Sequence, residues 1–485
     1  MGVLLSIATG MSVSKLPNIT TDFPAWYQEV VYSAELVDQP PVRGAMVIRP
    51  YGYAIWELIK GRLEERIRAT GHQNAYFPLF IPESFLKKEA KHVEGFAPEV
   101  AVVTHAGGKD LEEPLVVRPT SETMIHYMFA RWISSWRDLP LKINQWANVV
   151  RWEMRPRAFL RTTEILWQEG HTAHETREEA VTEVQSMLNE YMDLAENYLA
   201  IPAIAGLKSP SETFPGADET HTFEALMQDG KALQMGTSHL LSQSFAHSFD
   251  MKFQDREGEV AYPHLTSWGV TTRLVGAVVM THGDQKGLVL PPRVAPMQVV
   301  IVPIFTKGCD KDRLMDAVQG IEESLTTQQI RVNVDDAEGK TPGNKFYHWE
   351  LRGVPVRIEI GPRDLDNGQV IVASRISEDK EKVALDQVGQ RIPALLDEIQ
   401  HTMLTRARER RDAMWHTGRK LEVFGDELEE KGGFYQTGWC GSDACEERLK
   451  KYKSTIRCVL PEGTAAECFG CDKASCSEVL IAKAY

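Results

Sequence analysis

The stretch from Asn148 to His174 contains an unusual set of side chains for chemistry. It holds four arginines, three glutamates, two tryptophans and two histidines, in a pattern that predicts a strand, a basic loop and a second strand. A guanidinium group is rarely buried without a partner, and its planar fork suits a polyphosphate or a carboxylate. An ion-paired hairpin face would explain one arginine, but the high density of arginines and other functional side chains in this stretch favours an anion-binding site.

Three further segments place polar side chains at the ends of predicted elements. Residues 115–123 predict a strand that runs into a helix, where Thr120 or Ser121 would cap the helix and, with Glu122, could at the same time face a pocket. Residues 231–239 place Gln234, Thr237, Ser238 and His239 around a glycine, without a second metal ligand at a useful spacing. Residues 266–280 predict a strand and an apolar helix joined at Arg273, which alone could be a surface charge. His171 and His174 are interpreted as hydrogen-bonded residues of a site or core rather than zinc ligands.

The cysteine pattern predicts a metal site near the C-terminal end. Six of the seven cysteines follow residue 439, and Cys440, Cys445, Cys468 and Cys471 form two close pairs. Thiolates at this spacing can converge on tetrahedral zinc, and four of them leave no position for water, so such a site would be structural. Free or redox-active thiols are the alternative. Cys458 and Cys476 leave the identity of the four ligands open.

Length and composition indicate a multidomain globular protein. The 485 residues are 43% hydrophobic and 25% charged, and no apolar run is long enough to span a membrane. The formal net charge of −14 argues against binding along a phosphate backbone, although the arginine-rich stretches are locally basic. The opening residues predict a disordered extension over 1–21 rather than a signal peptide, with Met1 or Met11 as the start.

Two other patterns define the domain organisation. A helix at residues 53–70, ended by Gly71, precedes a strand at residues 74–82 whose Pro78 and Pro82 indicate an edge, explained equally by a dimer contact or by ordinary packing. After a proline-rich hinge at residues 287–296, strands and helices alternate and predict a small domain with a parallel or mixed sheet. The predicted domains are 22–296, 297–403 and 404–485.

Taken together, these segments resemble class II aminoacyl-tRNA synthetases, and more narrowly the prolyl-tRNA synthetase family. Residues 71–82, 151–167 and 268–273 are similar to the three class motifs, and RPTSET, WQEGHTAH, LQMGTSH and TPGNKF are similar to family segments. The resemblance implies a catalytic domain on an antiparallel sheet, an α/β anticodon-binding domain and a small zinc-binding C-terminal domain. The short interval between the second and third motifs and the cysteine-rich tail resemble the archaeal and eukaryotic-like branch, which lacks the editing insertion.

The resemblance also implies an activity and partners. Proline would attack the α-phosphate of ATP, and the resulting prolyl-adenylate would transfer proline to tRNA(Pro), releasing AMP. Mg²⁺ would lie between the phosphates, zinc would bind the cysteines, and a homodimer would form through residues 71–82. We expect a cytoplasmic enzyme.

Site residues follow from the resemblance residue by residue. Arg151, Glu153 and Arg273 are the expected catalytic residues, and the expected ATP-binding set adds Arg161, Thr162, Gln234, Thr237 and Thr271. The expected proline pocket comprises Thr120, Glu122, Arg151, Trp167, Glu169, His171, His239 and Ser267. In the anticodon-binding domain, Glu350, Arg357 and Arg363 are expected to contact the guanines of the anticodon, although a solvated face would also explain them.

Two expectations concern specificity. A small apolar pocket cannot strongly reject a smaller amino acid, so we expect misactivation of alanine. Ile165 stands where the family usually has a phenylalanine that stacks on adenine, so we expect weaker ATP binding than in an Ile165→Phe variant. The rival hypotheses are a non-catalytic relative, which the presence of Arg151, Glu153, Arg161 and Arg273 disfavours, and another class II synthetase specific for threonine or glycine.

Overall fold

The computed structural model describes residues 16–88 and 100–485. In the N-terminal part, the elements follow in this order: α1 Phe23–Ser33, β1 Val37–Asp38, β2 Val47–Ile48, α2 Pro50–Ala69, β3 Gln73–Asn74, β4 Phe80–Pro82, α3 Glu83–Lys88, β5 Ala101–Ala106, β6 Lys109–Val117, α4 Glu122–Trp132, β7 Leu141–Val150, β8 Glu164–His174, α5 Arg177–Asp193, β9 Ile204–Leu207, β10 Glu219–Leu226, β11 Ala232–Ser242, α6 Ser244–Ser248, β12 Phe253–Gln254, β13 Val260–Ala261, β14 His264–Thr271 and α7 Arg273–His282.

The central part of this region is an antiparallel sheet with the order β9–β10–β11–β14–β8–β7, which confirms the predicted class of catalytic domain. One face packs against helix α5, whose apolar positions recur every three or four residues, as in Val184, Met187 and Tyr191. Thr176 and Glu179 form a capping box at its start, which the spacing of the two residues in the sequence indicates. The Tyr191 and Phe223 rings stack at a centroid distance of 5.6 Å, so the opposite face of the sheet is left for polar side chains.

The predicted long strand at residues 74–82 is wrong in detail. Gln73–Asn74 pairs in parallel with β7, whereas Phe80–Pro82 belongs to a separate sheet with the order β4–β6–β5. Pro78 lies between the two short strands, where no backbone donor is required. The preceding helix ends as predicted, because Gly71 has a φ of +88°, which a glycine adopts without steric cost.

The middle region contains β15 Val299–Pro303, α8 Lys311–Thr326, β16 Val332–Val334, α9 Pro342–Leu351, β17 Val356–Ile360, α10 Pro362–Asp366, β18 Gln369–Ser374, β19 Lys380–Ala384 and α11 Val388–Ala413. Its sheet is mixed, with the order β16–β15–β17–β18–β19, in agreement with the predicted α/β domain. Helix α11 crosses the predicted boundary between residues 403 and 404, so that boundary falls inside a continuous helix rather than in a linker.

The C-terminal region contains β20 Trp415–Thr417, α12 Leu421–Lys431, β21 Phe434–Trp439, α13 Asp443–Glu447, β22 Ser454–Glu467 and β23 Ala474–Lys483. Its strands continue the catalytic sheet, because Val459 of β22 pairs with Leu207 of β9. A second bridge joins Ala484 to Ala232 at the start of β11. The C-terminal region is therefore part of the same eleven-stranded sheet.

The predicted extension over residues 1–21 is partly corrected. Residues 1–15 lie outside the described residues, but Leu16 is buried, and Gln285 donates to the Leu16 and Pro17 carbonyl groups at 3.1 and 3.0 Å. The prediction of disorder is therefore wrong for residues 16–21. Among the helices of the described ranges, none is long and apolar enough to cross a membrane.

Candidate active site

A cavity of about 540 Å³ opens on the polar face of the catalytic sheet. It is lined by the ends of β8, β11 and β14, by the residues before α4 and by the first residue of α7. The structure brings most of the predicted site residues to this one cavity: Thr120, Glu122, Arg151, Thr162, Ile165, Trp167, Glu169, His171, Gln234, Thr237, His239, Ser267, Thr271 and Arg273. Their side chains meet because alternate residues of neighbouring antiparallel strands point to the same face.

Arg151 lies directly after β7, at the mouth of the β7–β8 hairpin. Its Nε atom donates to the carbonyl oxygen of Pro119 at 2.9 Å, and its guanidinium carbon lies 5.5 Å from the centroid of the Trp167 ring. The backbone amide of Arg151 donates to the carbonyl oxygen of Thr163, which closes the base of the loop. The cation is thus positioned by two backbone contacts and one aromatic face.

The polar residues before α4 face the site instead of capping the helix. Ser121 occupies the N-cap position without a side-chain capping bond, and its hydroxyl donates to Glu169 Oε1 at 2.6 Å. The hydroxyl of Thr120 donates to the carboxylate of Glu122. The capping interpretation is therefore wrong for both hydroxyls, and the pocket-facing interpretation describes their positions.

Glu169 is the centre of a buried hydrogen-bond network. Gln145 Nε2 donates to Glu169 Oε1 at 2.7 Å, and His171 Nε2 lies 3.0 Å from Glu169 Oε2. Burial lowers the pKa of His171, but the hydrogen bond and charge of Glu169, with the charge of Glu122, raise it above its ordinary value overall. His171 pairs across the strands with Ser267, so both side chains reach the same part of the cavity.

Three polar groups in this part of the cavity are available to a ligand. The Nε1 atom of Trp167, the Nδ1 atom of His171 and the hydroxyl of Ser267 are buried and have no hydrogen-bond partner among the described residues. A buried polar group without a partner costs free energy, and a bound polar ligand would remove that cost. On the opposite wall, the two ring nitrogens of His239 are held by Thr220 at 3.0 Å and Thr237 at 2.9 Å.

Arg273 forms the floor of the other half of the cavity. Its Nη1 atom donates to the Gln234 carbonyl oxygen at 3.1 Å, and its Nη2 atom lies 3.4 Å from the Leu160 carbonyl oxygen. Burial, together with the charges of Arg161, Arg151 and Arg457, lowers the pKa of Arg273 to about 10. Several cations therefore converge here, which prepares this half of the cavity for an anion.

Two predicted ATP-binding residues do not line the cavity. The Glu153 carboxylate accepts a hydrogen bond of 2.7 Å from the backbone amide of Arg155. Arg161 is exposed, and its backbone pairs with that of Arg157 within the loop. Neither side chain lines the cavity, although the charge of Arg161 still acts on Arg273.

The sequence patterns missed several lining residues. Phe159 and Leu160 are buried at the wall near Ile165, and Lys208 and Phe214 line the side opposite the β7–β8 hairpin. For Phe159 and Leu160, the available signal in the sequence was a pair of apolar residues within an otherwise basic loop. Lys208 belongs to no recognisable sequence motif, and only the folded sheet places it at the cavity.

Gly170 and Gly269 are required by packing between neighbouring strands. A Cβ atom on Gly170 would lie 2.0 Å from the Trp268 ring, and one on Gly269 would lie 2.8 Å from the carbonyl oxygen of Gln168. The neighbouring strand alone accounts for Gly269.

The four predicted cysteine ligands lie together in the C-terminal region. The sulfur atoms of Cys440, Cys445, Cys468 and Cys471 are all within 4.8 Å of one another. The Cys440 sulfur lies 3.7 Å from that of Cys445 and 3.8 Å from that of Cys471. Zinc–sulfur bonds of about 2.3 Å in a tetrahedron separate sulfur atoms by roughly 3.8 Å, so the cluster fits zinc.

The remaining thiols and the surroundings support this set of ligands. Burial raises the pKa of Cys468, but hydrogen bonds from the Gly470 and Cys440 amides and from neighbouring thiols bring it to about 7. In the same cluster, burial and the neighbouring thiols raise the pKa of Cys440 and of Cys445, so one thiol of the group ionises first. Cys476 donates instead to the Lys473 carbonyl oxygen at 3.2 Å, and Cys458 is buried in a separate apolar cluster.

Two of the three predicted anticodon residues share a cleft of about 100 Å³ in the middle domain. Glu350 and Arg357 line it together with Lys286, Arg375 and Lys380. Arg357 is held by Glu359, with its Nη2 atom 3.0 Å from Oε1, and its guanidinium carbon lies 4.1 Å from the Phe346 ring centroid. Arg363 is exposed on α10 and does not line this cleft.

Comparison with known protein families divides the chain into three matched segments. Residues 103–282 match the class II tRNA synthetase core domain of the G, H, P, S and T type, and residues 298–395 match an anticodon-binding domain. Residues 421–485 match the C-terminal domain of prolyl-tRNA synthetases.

Individual proteins are similar over nearly the whole chain. A proline–tRNA ligase of Acetoanaerobium sticklandii is 51% identical over 476 residues, covering 98% of each chain. A proline–tRNA ligase of Symbiobacterium thermophilum is 49% identical, covering 98% of this chain and 99% of its own. A crystal structure of the Cryptosporidium parvum prolyl-tRNA synthetase with L-proline and AMP superposes with a TM-score of 0.91 at 40% identity, covering 97% of this chain and 99% of the other. The same enzyme with halofuginone and AMPPNP gives a TM-score of 0.92.

Proposed function

This chain belongs to the prolyl-tRNA synthetase family, and we propose that its cavity is divided into a nucleotide half around Arg273 and a proline half around Glu169 and His171. The enzyme is a proline–tRNA ligase that joins L-proline to tRNA(Pro) through prolyl-adenylate. The observation that carries the division is the position of Arg151, which contacts Trp167 on the proline side and contributes to the cationic environment of Arg273.

In the first step, a proline carboxylate oxygen attacks the α-phosphorus of ATP, and pyrophosphate leaves. Arg151 bridges the two reacting anions and stabilises the charge that develops on the α-phosphate. Gln234, Thr237 and Thr271 contact the adenosine and Thr162 closes its edge, while Arg273 holds the terminal phosphates. Glu153 and Arg161 join the nucleotide through a rearrangement of the basic loop, since neither side chain lines the cavity.

In the proline half, the secondary ammonium group of proline donates to Thr120 and Glu122. Trp167, Glu169, His171, His239 and Ser267 form the walls, and the unpartnered buried polar atoms of Trp167, His171 and Ser267 support a polar ligand. Glu169 keeps the wall rigid, since its carboxylate is held by Ser121, Gln145 and His171. Alanine is misactivated, because a pocket shaped for proline has no means of excluding a smaller side chain.

Mg²⁺ accompanies ATP in this proposal. The exposed Glu212 lines the cavity, whereas Glu122 and Glu169 accept hydrogen bonds from Thr120 and from the network described above. Since Mg²⁺ is commonly held by one or two carboxylates together with substrate phosphates, Glu212 fits this requirement with the phosphate oxygens of ATP. When bound, the ion neutralises charge on the phosphates.

Zinc bound by Cys440, Cys445, Cys468 and Cys471 has a structural role in this proposal. The cluster joins the end of β21 at Cys440 to the end of β22 at Cys468 and to the turn before β23 at Cys471. These three strands continue the catalytic sheet, so the metal supports the wall behind the cavity.

The tRNA and dimer contacts are also proposals. Glu350 and Arg357 read anticodon guanines from one cleft, and Arg363 contributes from the adjacent helix α10. A homodimer forms through residues 71–82, where Tyr76 is 70% exposed, Phe80 is 45% exposed and β3 is the edge of the large sheet. We place the enzyme in the cytoplasm, where its tRNA substrate is used.

ATP–pyrophosphate exchange measured with each of the twenty amino acids tests the proposed function. Strong proline-dependent exchange supports it. Absence of exchange would remove the enzymatic assignment, and a preference for threonine or glycine would remove the assignment to proline. An Arg151→Ala variant must lose exchange with every amino acid if Arg151 bridges the reacting groups.

A further inference from the structure

Lys208, Glu224 and Arg457 form a buried ionic triad beside the nucleotide half of the cavity. Their side chains are 1%, 0% and 7% exposed, respectively. Lys208 follows β9 and lines the cavity, Glu224 lies on β10, and Arg457 comes from β22 of the C-terminal region. Glu224 is 16 residues from Lys208 and 233 residues from Arg457 in the sequence, so the local sequence does not predict the triad.

The carboxylate of Glu224 is fully satisfied without Lys208. Arg457 binds it as a fork, with Nε and Nη2 at 3.1 and 2.9 Å from Oε2, and Nη2 also lies 3.1 Å from Oε1. The Thr222 hydroxyl adds a bond of 3.0 Å to Oε1. A bidentate arginine and a hydroxyl occupy both oxygens, so the Lys208 bond of 2.9 Å is additional.

The triad therefore holds two cations against one carboxylate. Among the described residues, the ion pairs of Glu224 join it to Lys208 and Arg457 alone. A buried surplus charge is costly unless a counter-ion approaches it. The surplus cation that lines the cavity is Lys208.

The location of the triad identifies the counter-ion. Glu224 pairs across the strands with Gln234, whose carbonyl oxygen accepts a bond from Arg273. Arg457 and Glu224 are both close enough to Arg273 to affect its pKa. In the proposed function, the anion held by Arg273 is the polyphosphate of ATP or the pyrophosphate product, and it would approach the triad here.

We propose that Lys208 binds the polyphosphate of ATP, and that Arg457 acts as a positioning residue by holding Glu224 so that Lys208 remains available. The proposal rests on the ATP-dependent activation of proline proposed above. It gives the C-terminal region a direct part in nucleotide binding.

The test begins with a Lys208→Met variant in proline-dependent ATP–pyrophosphate exchange. We expect the KM values for ATP and pyrophosphate to rise about tenfold, the change associated with losing one charge-assisted hydrogen bond, and the KM for proline to change less than about twofold. Glu224 keeps Arg457 and Thr222, so the thermal unfolding midpoint should not fall. An unchanged KM for ATP, or an equal rise for ATP and proline, would overturn the role of Lys208.

A Lys345→Met variant is the matched control. Lys345 is also buried, with a side chain 4% exposed and Nζ 3.4 Å from Asp335 Oδ1, but it lies in the middle domain. The Lys345→Met substitution should leave the KM for ATP unchanged. Wild-type protein without proline-dependent exchange would instead contradict the proposed function, so the two failures are distinguishable.

The role of Arg457 is tested by rescue. In Arg457→Met, Glu224 retains Lys208 as its cation, so the KM for ATP should rise although Lys208 is intact. Adding Glu224→Gln to Arg457→Met releases Lys208 and should return the KM for ATP toward the wild-type value. A double variant no better than Arg457→Met would show that Arg457 only stabilises the fold and would overturn its positioning role.

Discussion

The Nε2 atom of His171 lies 3.0 Å from Oε2 of Glu169 in the buried wall of the proline half. The hydrogen bond and charge of Glu169 outweigh the effect of burial and raise the pKa of His171. A group whose pKa is raised by folding stabilises the protein fully below its unfolded pKa, about 6.5 for histidine, and this contribution is lost as the pH rises through the folded pKa. The difference in unfolding midpoint between wild type and His171→Gln should therefore shrink from about pH 6 to pH 9.

His174 provides the control for this pH dependence. Burial lowers its pKa to about 4, so it is neutral at pH 7 in the folded state, and in the unfolded state, with a pKa of about 6.5, it is almost entirely neutral by about pH 8. The midpoint difference between wild type and His174→Gln should be constant from about pH 8 to pH 9. A His171→Gln difference that is equally constant would contradict the raised pKa.

Replacing Ile165 with phenylalanine should tighten ATP binding. Ile165 lines the same cavity as Phe159 and Leu160, and an aromatic ring at position 165 would add a stacking contribution of about 0.5–1.5 kcal/mol with adenine. The KM for ATP in exchange should fall roughly two- to tenfold. Ile165→Leu, which adds no aromatic ring, should show little change, and an unchanged KM in Ile165→Phe would reject the stacking explanation.

Alanine should support ATP–pyrophosphate exchange at high concentration. Because each methylene contributes only about 1–3 kcal/mol to discrimination, kcat/KM for alanine should be roughly 10²- to 10⁴-fold below that for proline. Arg151→Ala should abolish the exchange with both amino acids, which excludes a contaminating enzyme. No alanine-dependent exchange at high millimolar concentration would contradict this prediction.

The cysteine cluster should bind about one zinc ion per chain by elemental analysis. Cys471→Ser should lose the metal and lower the unfolding midpoint, because Cys471 shares the cluster that joins three strands of the C-terminal region. Cys309→Ser should keep the metal, since Cys309 lies in the middle domain, outside the cluster. Retention of a full complement of zinc by Cys471→Ser would exclude this set of four ligands.

Substitutions in the anticodon cleft should affect only the step that uses tRNA. Glu350→Ala and Arg357→Ala should each raise the KM for tRNA(Pro) about tenfold, because one base contact contributes about 1–3 kcal/mol. ATP–pyrophosphate exchange should remain at the wild-type rate. Arg313→Ala, which removes an exposed ion pair with Asp366, should change neither reaction. Equal losses in charging and exchange would indicate a folding defect instead of lost recognition.

The sequence by itself determined the elements whose signals are local. The strand, basic loop and strand of residues 148–174, the capping box of Thr176 and Glu179, the alternating middle domain and the cysteine spacing could all be predicted because each depends on neighbouring residues. The family resemblance then supplied a set of site residues, most of which line one cavity.

Only the tertiary structure decided the contacts between distant segments. It turned Ser121 from an expected helix cap into a partner of Glu169, split the strand around Pro78 between two sheets, and joined the C-terminal strands to the catalytic sheet. The contact of Arg457 with Glu224 spans 233 residues. Such contacts depend on how strands order within a sheet, and that order is set by packing of the whole core, which no short window of sequence records.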